Sequence, residues 1–335
     1  MKRLFFAILA LSLAASAIAQ APASYYNSAN GLTGNQLKVA LHNIIKGHTS
    51  ITYAQIWNAF WSTDNKGNGV VWDMYSDRPN GNPPYTYQLG QNQCGNYSEE
   101  GDCYNREHSW PQSWFKNDAT AKTDLHHIFA TDGYVNQKRG NYPFGEVKKA
   151  TWTSQNGSKV GTCQTSGYAG TVFEPIDEYK GDFARAIMYM SVRYYGEDSS
   201  WGSSDMTTKS EIKPWAINML LEWNDKDPVS QKEIDRNNAI YNDYQHNRNP
   251  FVDHPEYARM IWDPNWSVIE QIDSNQTKVN GVVVYDLLGR KVLQFDINSE
   301  AEGVSKIKEK LPHGYYLIQY LDGNRVIKNR KLLVN

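Results

Sequence analysis

Three consecutive residues, Arg106-Glu107-His108, set a cation, a carboxylate and an imidazole side by side in the stretch YNREHSWPQSWF (residues 104–115). Such a triplet is costly to bury as ordinary core, because each charged group would lose its hydration. An imidazole near its usual pKa is the natural general base at physiological pH. A carboxylate beside it can hold a hard divalent cation. Downstream, DLHHIFATDGYVNQKRGNYPFGEV (residues 124–147) carries Asn136, whose carbonyl oxygen can join that cation, and Arg139, whose guanidinium fork matches a phosphate. Oxygen donors with few charges suit Mg²⁺, which keeps most of its waters.

These side chains need elements to position them. Asn136 and Arg139, three apart, share a face of a helix that Thr131 or Asp132 can cap and that Gly140 ends. Glu107 and His108 raise a geometric difficulty, since adjacent residues on a strand point to opposite faces. Both reach one site only if the strand ends there, and Pro111 predicts that ending. His126 and His127 are adjacent too, so on regular strand only one faces a metal. With no other His or Cys at zinc spacing, a zinc site is rejected. Asp253 and His254 in NRNPFVDHPEYA read as structure, because Asn249-Pro250 and His254-Pro255 are turn-forming pairs that position a helix. A lone Glu-His pair usually decorates a surface. Its combination with Asn136 and Arg139 carries the catalytic reading.

REHSWPQSWF followed by DLHHIFATDGYVNQKRGNYPFGEV resembles the signature of the bacterial endonuclease I family of secreted or periplasmic nucleases, whose active site is the ββα-metal motif. VVWDMYSD (70–77), KGDFARAIMYMSVRY (180–194) and RNNAIYNDYQHNRNPFVDHPEYARMIW (236–262) extend the resemblance over residues 27–262. It implies that Glu107 and Asn136 ligate one Mg²⁺ (Mn²⁺ and Ca²⁺ fit the same oxygens), while His108 activates water. The metal would stabilise the extra charge of the pentacovalent phosphate, and a water on it would protonate the leaving 3′ oxygen. Hydrolysis then leaves a 5′-phosphate. His127, nine residues before the ligand Asn, takes a supporting role at the substrate, as do Arg106 and Asn141. The phosphate-clamping arginine of the family has no match between base and ligand, where only Lys116 and Lys122 lie. Arg139 is therefore assigned that catalytic and substrate-binding part.

The bulk properties bound this reading. MKRLFFAILALSLAASAIAQ has a basic start, an apolar run too short to span a bilayer and a small-x-small site, so residues 1–19 read as a cleaved signal peptide. No later segment approaches a membrane span, and no stable membrane insertion is expected. The expected location is outside the cell or at its surface. Residues 20–267 form the catalytic domain in an α+β class, mostly helical around a central ββα motif, with helical periodicity at 38–47, 181–196, 210–227 and 230–247. Most of the 11 Trp and 22 Tyr sit at helical spacing and read as core. Cys94 and Cys103 bracket CGNYSEEGDC and can close a disulfide ring, leaving Cys163 over.

Residues 20–267 hold 22 basic and 28 acidic side chains, net −6, which excludes nucleic-acid binding through bulk charge. Contact must come from a narrow strip, for which Arg106, Lys138, Arg139, Lys148 and Lys149 are the candidates. From residue 268 the pattern changes to alternation, with VVVYDLLGRKVLQF and GYYLIQYLDGNRVIKNRKLLV bracketing hairpin signals. Residues 268–335 read as a small β-sandwich module. They resemble the C-terminal sorting domain of proteins exported by the type IX secretion system, whose machinery is then a partner. The expected activity is Mg²⁺-dependent endonucleolytic hydrolysis of DNA, with RNA as a further substrate. Two rivals are a phosphodiesterase for small nucleotides, which the acidic balance suits, and a surface adhesin using Trp and Tyr as sugar platforms.

Overall fold

A computed structural model describes residues 21–116, 118–263, 279–286, 290–312, 314–323 and 325–334. The expected signal peptide, residues 1–19, lies outside them. The chain divides into two units, Met1–Trp262 and Asp263–Asn335. In the first, the elements that bear on the site are, in chain order, helices α1 (Gly34–Ile45) and α2 (Ile56–Thr63), strands β1 (Tyr104–His108) and β2 (Ile128–Asp132), and helix α3 (Gly133–Arg139). There follow strands β3 (Val147–Thr153), β4 (Lys159–Cys163) and β5 (Thr171–Glu174), then helices α4 (Lys180–Arg193), α5 (Pro214–Lys226) and α6 (Gln231–Ala239). The class is mixed, with several small antiparallel sheets.

All 14 residues of helix α4 are buried, Lys180, Asp182, Arg185 and Arg193 among them. Its polar members are neutralised in place: Arg185 is paired with Glu233 on α6, and Lys232 of α6 is paired with Asp182. Helix α1 docks through Leu37, Leu41 and Ile45 at four-residue spacing. Helix α5 begins four residues later than the serine at 210 suggests. Ser210 instead donates to Asp198, Glu211–Ile212 pair with Thr207–Thr208, and Pro214 then fixes the first helical turn. Helix α6 starts where Ser230 and Glu233 complete a capping box, and it runs on into a π-helical turn, Ile240–Tyr244.

The β1–β2 pair lies between two cores. Phe129 of β2 belongs to the α4 cluster with Phe144, Phe173 and Phe183, whereas Ile128 and Ala130 join Ile56 and Phe60 of α2. This alternation is the two-residue period of a strand with both faces buried. Among the described residues, Asp263–Asn335 contains a four-stranded antiparallel sheet, order β7-β6-β8-β9, made of β6 (Gly281–Tyr285), β7 (Lys291–Asp296), β8 (Gly314–Asp322) and β9 (Arg325–Val334). The expected hairpin is there, turning at Gly323 with φ +59°. Among the described residues, a helix lies over the sheet's apolar residues. Ser299 caps a helix, α7 (Glu300–Lys310), whose Ile307 packs with Val282, Ile318 and Tyr320. No helix among the described residues is long and apolar enough to cross a membrane.

Candidate active site

Strands β1 and β2 pair antiparallel with Tyr104 opposite Asp132, Glu107 opposite Phe129 and His108 opposite Ile128. Asp132 follows directly as the cap of α3. Its carboxylate accepts from the backbone of Val135 (2.7 Å), and it is itself fixed by the Tyr87 hydroxyl (2.5 Å) and the Gly101 amide (2.9 Å). Asp132, not Thr131, is the cap. Gly140, at φ +53°, ends the helix. The chain thus builds a ββα unit from REH, the second strand and the Asn136 helix.

The strand does not end where a shared site would need it to. β1 stays regular through His108, and Ser109 still donates to the His127 carbonyl (2.9 Å). Pro111 acts only afterwards, in the turn before Gln112. Glu107 and His108 therefore occupy opposite faces. Asn105 and Glu107 face α3, where Asn136 donates to Asn105 Oδ1 (2.7 Å) and Arg139 to Glu107 Oε1 (2.9 Å). Arg106 and His108 face the α2 side, where both meet the ring of Tyr53.

On the α3 face, Glu107 is buried, and both of its side-chain partners, Arg139 and the Tyr75 hydroxyl (2.8 Å), bond Oε1. Burial raises its pKa, against the opposing pull of the Arg139 charge and these hydrogen bonds. Burial and the Glu107 charge together push the Tyr75 hydroxyl well above its ordinary value, so it stays a donor. A cation on this face would have to use Glu107 Oε2 and Asn136 Oδ1, which the side-chain hydrogen bonds above do not engage. Two hard donors with one charge fit Mg²⁺ carrying several waters. Among the described residues no three His, Cys, Asp or Glu side chains gather as a metal cage, so a cation here would rest on these two oxygens and water.

On the α2 face, His108 Nε2 lies 3.1 Å from the Lys122 carbonyl. A carbonyl only accepts, so Nε2 carries the proton and Nδ1 the lone pair. Gln112 Nε2 approaches Nδ1 at 3.4 Å. Burial, reinforced by His127, pushes the His108 pKa down to about 3, so the ring is neutral at physiological pH. Arg106 is half-buried. Its guanidinium carbon lies 3.5 Å from the centre of the Tyr53 ring and 4.4 Å from that of Trp57, and Nη1 donates to the Tyr53 carbonyl (2.7 Å). The exposed Lys122 brings its ammonium to 5.0 Å from the same Tyr53 ring.

Several expected roles change. Arg139 does not reach a phosphate: it is 1% exposed, and it donates to Glu107, to the His108 carbonyl (2.8 Å) and to the Ser109 carbonyl (2.6 Å). The reason is the helix register, which aims residue 139 at the end of β1; Arg139 braces Glu107. It drops out of the basic strip as well. Lys138 lies over Tyr134, and Lys148 and Lys149 are exposed on β3. His127 is fully buried, with Nε2 on the Ala121 carbonyl (2.7 Å) and Nδ1 unpartnered, so it backs His108 rather than touching substrate. His126 turns away to the Asn247 carbonyl and Tyr189; the two belong to a 3-10 turn, Leu125–His127. Asn141 is exposed just past α3. His254 pairs with Glu256, and Asp253 with Arg248, both as structure.

Tyr53, Tyr75, Asn105, Gln112 and the Lys122 carbonyl were not legible as site residues. Only Asn105 had a sequence signal, two positions before Glu107 and so on its face. Cys94 and Cys103 form a disulfide, with Cα atoms 5.7 Å apart, and Cys163 is free and buried.

Comparison with known proteins bears on what this arrangement does. Residues 33–256 match the family Endonuclease I, and residues 264–335 match the secretion system C-terminal sorting domain. An extracellular ribonuclease of Bacillus amyloliquefaciens is 40% identical over 251 residues, covering 71% of this chain and 78% of the relative. The extracellular ribonuclease of Bacillus subtilis (strain 168) is 38% identical over 265 residues, covering 75% and 83%. Endonuclease-1 of Buchnera aphidicola subsp. Baizongia pistaciae (strain Bp) is 30% identical over 132 residues, covering 39% and 46%.

Proposed function

The chain belongs to the endonuclease I family, and from that premise we propose that this secreted or cell-surface nuclease is a Mg²⁺-dependent endonuclease with His108 as its general base. The observation that carries the reading is the fixed tautomer of His108, which puts the lone pair on Nδ1, where only a long contact from the Gln112 amide (3.4 Å) stands between it and a water. The substrates are DNA and, in line with the relatives named extracellular ribonuclease, RNA.

Nδ1 takes the proton of the attacking water, while Nε2–H stays on the Lys122 carbonyl and holds the ring still. A ring that titrates at about 3 is by itself a weak base. The arriving phosphate's negative charge raises its basicity at the moment it is needed. Glu107 and Asn136 would hold Mg²⁺, which when bound offsets the charge that builds on the phosphate. The scissile phosphate belongs at the free edge of β1, since there a residue of each face, Asn105 and Arg106, lines one open cavity of about 460 Å³. Arg106 and Lys122 supply cations on the His108 side. The C-terminal unit is the substrate of the type IX machinery and takes no part in hydrolysis.

Supercoiled plasmid and a single-stranded RNA, incubated with the protein in Mg²⁺ and then in EDTA, test this reading. Nicking and RNA cleavage that stop with EDTA, and that fall ~10²–10⁴-fold in His108→Ala, are expected. Intact plasmid beside hydrolysed small nucleotides would favour the phosphodiesterase instead. Near wild-type nicking by His108→Ala would remove the base assignment.

A further inference from the structure

The buried arginines of the catalytic unit each hold a carboxylate: Arg139 holds Glu107, Arg185 holds Glu233, Arg193 holds Glu197, Arg236 holds Asp64 and Arg248 holds Asp253. Arg106 differs. Among the described residues no acid pairs with it, and its single protein hydrogen bond uses Nη1 on the Tyr53 carbonyl. Tyr53 and Trp57 hold the guanidinium between them, and among the described residues no acceptor bonds its Nε or Nη2. A pre-positioned, unpaired guanidinium is a receptor for an anion.

The cavity beside it, about 460 Å³, is walled by Tyr53, Trp57, Gln93, Cys94, Asn105 and Arg106. That volume lies in the range of small-ligand sites. Gln93 donates Nε2 to the Tyr104 hydroxyl (3.1 Å), leaving its carbonyl oxygen as an acceptor. Asn105 spends its oxygen on Asn136, leaving Nδ2 as a donor. Gly133 leaves room beside that amide, since a Cβ there would lie 2.6 Å from the Tyr97 ring and 3.2 Å from Nδ2. The wall is tied down by the Cys94–Cys103 disulfide and by Cys94 N and Asn92 O bonded to Tyr104. Four residues beyond Trp57 on α2, Trp61 is 51% exposed. Its ring lies against Gly69 and Gly90, both at positive φ, where a side chain would be strained and, at Gly90, would start 3.4 Å from the indole.

We infer that this cavity is a nucleotide subsite for an unpaired nucleotide next to the scissile phosphate, so that the enzyme acts preferentially on single-stranded nucleic acid. The inference rests on the nuclease reading above and deepens it. One cation, one donor, one acceptor and aromatic surface match a phosphate, the polar edge of a base and its π face. In a duplex that edge is paired and that face stacked, so a paired base enters only after extrusion. Trp57 and Trp61, on one side of α2, continue the aromatic surface for a neighbouring base. Arg106 and Lys122 give the track its charge, which the acidic unit as a whole does not.

Equilibrium binding tests this without turnover. The full-chain protein in EDTA is titrated by fluorescence anisotropy against a labelled single-stranded oligonucleotide of about twelve residues and against the same sequence in a duplex. Single strand should bind about tenfold tighter. Gln93→Ala and Trp57→Leu should each weaken it about five- to tenfold, with less than about a twofold change for duplex. Gln93→Ala removes a surface amide and keeps the test valid if Trp57→Leu fails to fold. Equal affinity for the two probes, or equal losses on both, or no loss in Gln93→Ala, would overturn the subsite. Plasmid nicking in Mg²⁺, followed in parallel, reports on the catalytic reading alone: its absence beside intact single-strand selectivity would sink the chemistry and not the subsite.

Discussion

Arg139→Met separates bracing from phosphate clamping. The guanidinium is 1% exposed and holds the buried Glu107 carboxylate at 2.9 Å, together with the carbonyls of His108 and Ser109. Methionine keeps most of the volume and removes every donor. Breaking a buried ion pair by deleting one partner costs about 3–5 kcal/mol. Each orphaned carbonyl adds on the order of 1 kcal/mol, not additively. For a unit of this size, Tm moves about 2–4 °C per kcal/mol, so a fall on the order of 10 °C is expected. Glu107→Gln should recover part of the loss in the double variant, because a neutral amide no longer needs the cation. Scanning calorimetry gives Tm, and the salt dependence of oligonucleotide binding in EDTA gives the number of phosphates contacted. A brace leaves that slope at its wild-type value. A clamp would lower it by about 0.9 and leave Tm nearly unchanged. A variant with wild-type Tm and a shallower slope would refute the bracing role.

Glu107→Ala and Asn136→Ala should weaken cleavage in a way that raised Mg²⁺ partly restores, whereas His108→Ala should gain nothing; Mg²⁺ titrations of plasmid nicking check the contrast. Acid should unfold the catalytic unit steeply. Burial holds His126 and His127 at about 4 each, below their ordinary value of 6.5. The folded state thus binds fewer protons than the unfolded one, and the stability these rings contribute is present above pH 6.5 and lost as pH falls towards 4. The contribution of these two rings is read by difference: in urea unfolding, the wild type should lose stability relative to His126→Gln and His127→Gln as pH falls from 6.5 to 4.5, and a wild-type-minus-variant difference that does not change with pH would contradict it. Cys94→Ala with Cys103→Ala should lose about 2–3 kcal/mol of stability, read from the urea midpoint, and should loosen the wall of the β1 cavity.

The amino-acid sequence by itself determined the order of the site. REH, the cap and stop of the Asn136 helix, the two cysteines of the disulfide and the LDGN hairpin are local signals. Each is set by backbone chemistry within a few residues of itself. It also determined the resemblance to endonuclease I and to the sorting domain, because ordered blocks of residue types survive without any knowledge of contacts. The faces were decided only in three dimensions. Whether β1 stops at His108 depends on Ser109 finding the His127 carbonyl 18 residues further along, and that pairing puts Glu107 and His108 back to back. Likewise, nothing near Arg139 in the chain announces that Tyr75 and Glu107 will meet it in a dry interior, and so turn a candidate phosphate fork into a brace. Arg106 shows the converse. Its neighbours in sequence make it one cation among many, and only the approach of Tyr53 and Trp57 from the start of α2 holds it between two rings where, among the described residues, no acid pairs with it. Local propensity acts over a turn or a strand pair, while burial and charge pairing are settled by residues that the chain brings together from far apart.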